Sequence, residues 1–324
     1  MPYNLIRYGL YPSTIIAAVY SAYWLLYSQQ QPLYFIMLPL AAAFMVVGLM
    51  ERLLPYRPKW NIAQNDLLAD STYIGVNLAL REVGNVVFKL GLLALLAGMG
   101  FSGQSLSFWP EHWHPLLQLP LALLLFDFFE YWFHRASHRY GWLWRFHAIH
   151  HSPKRLYFFN AARFHFVDWM ALTAIEVVVL LAIGADPKVV ALAVVFIQTH
   201  GLFQHGNIDV KLGWLNYLVS GPELHRWHHS KLIEESDTNF GNNVIVWDIL
   251  FGTYFLPKNR QVGVLGLFNP NYPTSFWGQL KAAFAPTRLD KPADFYQQEA
   301  KYLAELEQEN AAERLALDQA QGQQ

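Results

Sequence analysis

No cysteine occurs anywhere in this 324-residue chain. That excludes a disulfide framework, a thiolate-ligated metal cluster and a covalently attached c-type haem. Charge is also scarce, at 15% of residues, against about 25% in an ordinary soluble domain. The 23 Lys and Arg and 24 Asp and Glu nearly cancel to a net charge of −1, so nothing favours nucleic acid as a partner. No glycine-rich dinucleotide fingerprint follows a strand-like segment either. Any electrons the chemistry needs must therefore come from outside the chain.

Apolar residues are abundant, at 54% of the chain with 16% aromatic. The missing charge is concentrated in six apolar stretches, Ser13–Tyr27, Leu33–Met50, Gly84–Gly100, Leu116–Phe133, Trp169–Ile183 and Val189–Phe203. Several sit at the short end of the roughly 17–25 residues that cross a bilayer. No small-residue cleavage site follows the first stretch, and a second follows at once, so both read as spans and not as a leader. Leu67–Leu80 is ambiguous: an interfacial amphipathic helix, or part of a longer third helix.

Lys and Arg are absent from the turns at Ser28–Pro32 and Phe101–Pro115, and the turn at Gly184–Lys188 holds only Lys188. The opposite side carries Arg7, the ERLLPYRPK stretch, Arg81, the Arg135–Arg163 region and everything after Lys211. Six spans in three hairpins then place both termini on the cytoplasmic side. Three regions are expected: N-terminal membrane helices over 1–110, a catalytic region over 111–260, and a C-terminal extension over 261–324 whose Ala/Glu/Gln-rich end reads as a disordered tail.

Histidine carries the chemistry. HRASH supplies His134 and His138, HAIHH supplies His147, His150 and His151, and HRWHH supplies His225, His228 and His229. Spacings of i, i+3 and i+4 put such residues on one helical face, so each cluster is expected to aim its imidazoles at one point. Neutral imidazole is the commonest side-chain metal ligand. Eight nitrogens exceed what one four-coordinate zinc takes and suit two metals, each with an open position.

The fourth apolar stretch places Asp127, Tyr131, His134 and His138 on a single stripe. A carboxylate inside a membrane helix is costly, and Asp127 is expected to accept the second ring N–H of a metal-bound histidine. Glu130 lies off that stripe and reads as structural, while Glu176 stands alone mid-span. After HAIHH, Ser152–Pro153 stops the helix, and a polar, aromatic stretch brings Asn160, Arg163 and His165. His165 is a secondary candidate ligand whose simpler role is support or interface. His200 and His205 are five residues apart in THGLFQH, so only one of them is expected to reach the metals. His112 and His114, between tryptophans, read as part of an aromatic belt. Asn239, Gly241, Asp248 and Gly252 read as turn residues that support the site.

HRASH, HAIHH, FQHGN, ELHRWHH, NFG and WDILFGTY, in this order over Leu119–Leu256, resemble the fatty acid hydroxylase / sterol desaturase superfamily of membrane di-iron oxygenases. The resemblance implies an all-α fold, a polytopic membrane helical bundle under a cytosolic histidine-rich cap, and makes His205 of FQHGN a ninth ligand. Phe166 stands where members commonly have a proline after a histidine, which weakens any transfer of role to His165. Two irons, O2 as co-substrate and an external electron donor are implied. That donor is a separate reductase, a small redox carrier or a dissolved reductant, a pterin included.

The expected activity is hydroxylation or desaturation of a lipid C–H bond, with substrate rising from the bilayer into a largely apolar pocket. Trp132, Phe133, Trp142, Trp144, Phe158, Phe159 and Trp227 are candidate walls. Ether-lipid (alkylglycerol-type) monooxygenation and carotenoid hydroxylation are alternatives on the same centre. A metal transporter or a metal-binding membrane protein without turnover is the non-enzymatic alternative. A transporter would line a path through the bilayer with ligands, whereas these histidines gather at one face.

Overall fold

A computed structural model of the chain describes residues 2–98, 109–182, 184–258, 260–285 and 297–304. The expected disordered tail lies outside these residues. Among the described residues the fold is all-α, with only isolated bridges such as Val219 to Val244 in place of strands. Long helices α1 (Pro2–Tyr23), α2 (Met37–Leu53), α3 (Leu67–Gly98), α4 (Pro115–Arg139), α6 (Phe166–Ala182) and α7 (Pro187–His205) form a bundle. Short helices α5 (Gly141–His151), α8 (Pro222–His228), α9 (Ile233–Ser236), α10 (Val246–Phe251) and α11 (Phe276–Ala282) make up most of the remainder.

Each of the six apolar stretches lies on one of the long helices as far as it is described. Leu67–Leu80 proves to be the first half of α3, a single 32-residue helix. At 1.5 Å per residue such a helix is roughly 48 Å long, longer than the hydrocarbon of a bilayer. Two segments, Leu33–Leu53 and Pro115–Arg139, are long and apolar enough to cross a membrane by length and composition.

Helical periodicity decides what each helix buries. On α1 and the helical turn Trp24–Ser28 that continues it, Tyr11, Ile15, Ala18, Ala22 and Leu26 fall three or four apart and pack with Val47, Leu192, Val195 and Phe203. The opposite face of α1 exposes Ile16 and Tyr20, α2 exposes Met45 and Leu49, and α3 exposes Val83, Val86 and Leu90. Helices apolar on both faces belong in a bundle whose outside is not water. α1 and α2 pack on α7, α3 packs along α6, and α4 meets α5, α6 and α7.

Polar clamps join the bundle to the segments above it. Glu51 of α2 is buried and accepts from the backbone N–H of Phe158 and of Asn207, both at 3.0 Å. Asp66, just before α3, takes Arg155 through two bonds of 2.7 and 2.8 Å, and that guanidinium lies over the Tyr157 ring. Asp70 accepts from Tyr157 Oη at 2.6 Å and from Arg163. These pairs hold the Arg155–Arg163 stretch in a fixed path.

Breaking one partner of a buried pair strands the other charge. Asp66→Ala should destabilise the detergent-solubilised protein by on the order of 3 kcal/mol, read as a lowered thermal unfolding midpoint. Adding Arg155→Met should restore much of the loss. A double variant no more stable than Asp66→Ala would show that the stranded guanidinium is not the cause.

Candidate metal centre

Four segments deliver the histidines. α4 ends with His134 and His138, and Tyr140, extended at φ −99° and ψ 116°, is the only non-helical residue before α5. That tight turn folds α5 back so that His147, His150 and His151 face the end of α4. α5 stops at His151, as Ser152–Pro153 requires. α7 ends at His205, and α8, begun by Pro222 at its first turn, carries His225 and His228 with His229 closing it.

The nine imidazoles form two groups. His134, His138, His147, His151 and His228 make one, and His150, His205, His225 and His229 make the other, each with its ligand atoms within 4.8 Å of one another. His205 joins the second group, as the resemblance implies. The expectation that each cluster converges on one point is corrected. Within HAIHH and HRWHH the i, i+4 pair serves one group and the remaining histidine serves the other. Successive residues are rotated by about 100° on a helix, so His150 diverges from His151 and His228 from His229. α5 and α8 therefore lie between two centres.

Five outer ring nitrogens have acceptors, whereas Nδ1 of His150 and of His229 is buried without a partner. Nδ1–H of His134 donates to the Phe240 carbonyl at 2.8 Å and that of His228 to the Thr238 carbonyl at 2.8 Å. His147 Nδ1 meets Asp168 at 2.9 Å, His138 Nδ1 meets Asp237 at 3.1 Å, and His205 Nδ1 meets the side-chain oxygen of Asn160 at 2.9 Å. A neutral imidazole has one N–H, so these contacts turn bare Nε2 lone pairs inward. There they meet one another. Nε2 atoms lie 3.0 Å apart for His134 and His147, 3.1 Å for His138 and His151, 2.9 Å for His205 and His225, and 3.1 Å for His150 and His229.

Bare lone pairs at this separation repel unless a cation lies among them. Metal–imidazole bonds of roughly 2.0–2.1 Å place adjacent ligand nitrogens about 3.0–3.4 Å apart, which is close to the spacing found. His228 Nε2 is buried with no hydrogen-bond partner. The residues fit two metal ions, and an all-nitrogen donor set with no thiolate suits iron or zinc. Burial, reinforced by neighbouring imidazoles, holds His150, His151, His225 and His229 well below the ordinary imidazole value, and burial brings His228 down to about 3. The set stays neutral, as ligands must.

Other candidates fall elsewhere. Asp127 touches no histidine. It accepts from Asn243 N at 2.7 Å, Asn243 Nδ2 at 3.0 Å and Val244 N at 3.4 Å. The role expected of it falls to Asp168 and Asp237, which no local spacing marks. Asn239, left-handed at φ 54°, donates to the Leu224 and Phe255 carbonyls and accepts from Phe255 N, tying α8 to the segment after α10. Asp248 accepts from the N–H groups of Phe240 and Gly241, both at 2.7 Å, and so sets the carbonyl that receives His134. A Cβ on Gly241 would sit 2.3 Å from the Val244 carbonyl, so only glycine fits there.

His165 and His200 stay outside both groups. His165 Nδ1 accepts from Val167 N at 3.1 Å at the start of α6. His200 bonds Tyr11 Oη at 2.7 Å and the Ser220 carbonyl at 3.0 Å. Glu130 bonds Asn242 at 2.8 Å and Glu176 pairs with Arg81 at 2.7 Å. His114 caps α4 by accepting from Leu116 N at 3.3 Å. Of the candidate walls, Trp144 packs on His138 and His151 at ring distances of 4.9 and 5.3 Å. Trp132 and Trp142 are exposed, and Phe158 and Trp227 belong to packed cores. A cavity of about 160 Å³, lined by His138, His151, Trp144, Lys231 and Asp237 among others, opens beside the first group.

The fatty acid hydroxylase family matches residues 119–253, a range that holds all nine histidines. An ornithine lipid hydroxylase of Rhizobium tropici is 33% identical over 264 residues, spanning 79% of this chain and 78% of that protein. The chain belongs to the fatty acid hydroxylase family. It is an oxidoreductase of a membrane-bound family. This family member is also 29% identical over 201 residues to an alkylglycerol monooxygenase of Xenopus tropicalis, covering 58% of this chain but 43% of that protein. A delta(7)-sterol 5(6)-desaturase of Gibberella zeae is 27% identical over 152 residues, 46% of this chain and 41% of the desaturase. No solved structure matches.

Neutral, buried imidazoles carry a pH signature. Unfolding frees side chains that titrate at the ordinary imidazole value of about 6.5. Below that pH the unfolded chain binds more protons than the folded one, so stability falls as pH falls. In chelator-treated protein the thermal midpoint should drop steadily between about pH 7 and pH 5. A flat profile across that window would contradict the neutral assignment.

Proposed function

We propose that this chain is a di-iron oxygenase that hydroxylates a C–H bond of a polar membrane lipid, an ornithine-type lipid in the first instance. The observation that carries the reading is the division of nine buried or half-buried histidines into groups of five and four, each with its ligand atoms converging within 4.8 Å. The substrate class rests on the ornithine lipid hydroxylase that aligns over most of both chains. The alkylglycerol monooxygenase aligns over less than half its own length, which favours hydroxylation over ether cleavage.

Bound irons, once reduced, would supply the oxidant from O2 that an unactivated C–H bond requires. The protein's own contribution is placement. His134, His138, His147, His151 and His228 would hold one iron, and His150, His205, His225 and His229 the other. Phe240, Thr238, Asp168, Asp237 and Asn160 keep those rings in the tautomer that ligates. Burial excludes water, and Trp144 closes one side of the five-histidine group. Electrons come from a separate reductase or redox carrier, since the chain holds no cysteine for an iron–sulfur or haem attachment and no dinucleotide fingerprint. The six-span arrangement with both termini and the site on the cytoplasmic side is part of the same proposal.

The decisive assay supplies purified, iron-loaded protein with ornithine lipid, a reductant and 18O2. A lipid product heavier by one labelled oxygen supports the reading; free aldehyde from an alkylglycerol, with ornithine lipid untouched, would replace it with ether cleavage. Neighbouring histidines give a sharper test of the centre. His228→Ala and His229→Ala should each reduce bound iron from about two per chain to about one, and the double variant should bind none. Equal retention of both irons in either single variant would sink the assignment. Asp168→Ala should weaken iron binding about 10–100-fold.

A further inference from the structure

Two stretches that flank α8, 212–221 and 240–254, lead away from the metal groups along the bundle. Trp247 Nε1 donates to the Leu124 carbonyl at 3.2 Å, and its ring meets Phe128 at 4.9 Å. Phe251 stacks on Tyr131 at 5.4 Å. α10 therefore lies along α4 from Leu124 to Tyr131. Leu124 is ten residues before His134, roughly 15 Å along the helix axis. The segment before α8 makes the same descent, with Ser220 bonded to His200 and Gln204 of α7.

Irregular backbone at this depth needs internal partners, and the bundle provides them. Asp127 of α4 takes the N–H groups of Asn243 and Val244, and Glu130 holds the side chains of Asn242 and Asn243. Gln204 of α7 donates to the carbonyls of Ser220 and Asn242, both at 2.7 Å. Two otherwise unexplained buried polar groups, Asp127 and Gln204, thus serve the backbone of one loop pair, and a third, Glu130, fixes its Asn242 and Asn243 side chains. The outer surface of that pair is apolar: Trp214, Tyr217, Leu218, Val246, Ile249 and Leu250 are exposed, the first at 70% and the last at 65%. No charged side chain is exposed over 212–219 or 244–254; the one acid there, Asp248, is buried.

We propose that α10 and the Gly213–Tyr217 turn form a re-entrant wedge that sits in the bilayer interior against α4, with Asp127, Glu130 and Gln204 as its polar anchors. The occupant of the exposed face is lipid hydrocarbon. Backbone outside a helix is tolerated at membrane depth only where protein satisfies it; Asp127 and Gln204 perform that service, and Glu130 holds the asparagine side chains beside it. The proposal rests on the reading of α4 as a membrane span, and it makes the wedge part of the wall past which a lipid reaches the irons.

The natural absence of cysteine makes a clean test possible. A spin label at Leu250→Cys in the full-length protein, reconstituted in phosphatidylcholine vesicles, is compared for collisions with O2, which partitions into lipid, and with a water-soluble nickel chelate. Phe129→Cys on α4 reports the span, and Glu234→Cys on α9 reports water. The ratio of O2 to nickel accessibility at Leu250 should match that at Phe129 and exceed that at Glu234 several-fold. Ile249→Cys and Trp214→Cys repeat the measurement if Leu250→Cys fails to fold. A water-like ratio at these sites with a lipid-like ratio at Phe129 overturns the wedge alone. Water-like ratios at Phe129 as well overturn the span and the wedge with it.

Discussion

Imidazole nitrogens converging to about 3 Å, bare on both rings of the His134–His147 pair, are the constraint on which the rest of the structure depends. Such a cluster is unfavourable by itself, because lone pairs repel and burial prevents the rings from becoming cations. A metal among them reverses the sign of that interaction. Everything around the cluster serves to keep the nitrogens there. The single extended residue Tyr140 turns α5 back onto α4, the end of α7 presents His205, and the short α8 is pinned by Asn239 on one side and by Arg226 bonds to the Ile208 carbonyl on the other.

The acceptors around the rings come from distant parts of the chain, and they differ in kind. Two are backbone carbonyls, two are carboxylates, and one is an amide. A carboxylate raises the basicity of its histidine more than a carbonyl does. The five-histidine group has both carboxylates, Asp168 and Asp237, whereas the four-histidine group has the Asn160 amide. The two groups are therefore chemically unequal.

Membrane and metal are coupled through α4. Its C-terminal end carries His134 and His138, while one to two turns lower Asp127 holds the 243–244 backbone and Glu130 the side chains of Asn242 and Asn243. That same loop begins with Asn239 and Phe240, which touch α8 and His134. A disturbance at the exposed apolar side of the loop therefore reaches a histidine ring through a continuous set of hydrogen bonds. Asp248 stiffens the path by clamping Phe240 and Gly241.

The eight clustered histidines, the helices that carry them and the family could be read directly, because helix periodicity and histidine spacing are local properties. His205 needed the FQHGN resemblance, since no neighbour in sequence marks it. Asp127 looked like a support for a histidine because it shares a helical stripe with His134, yet a stripe says only which way a side chain points. Its partner came from a loop 116 residues away. What the sequence by itself determined was the chemistry: clustered imidazoles suited to metal, carried on apolar helices. Only the tertiary structure decided how the nine divide into five and four, which atoms orient each ring, and how the loop after α8 returns along α4. Those outcomes depend on helix rotation and on contacts between segments far apart in the chain, which no local spacing encodes.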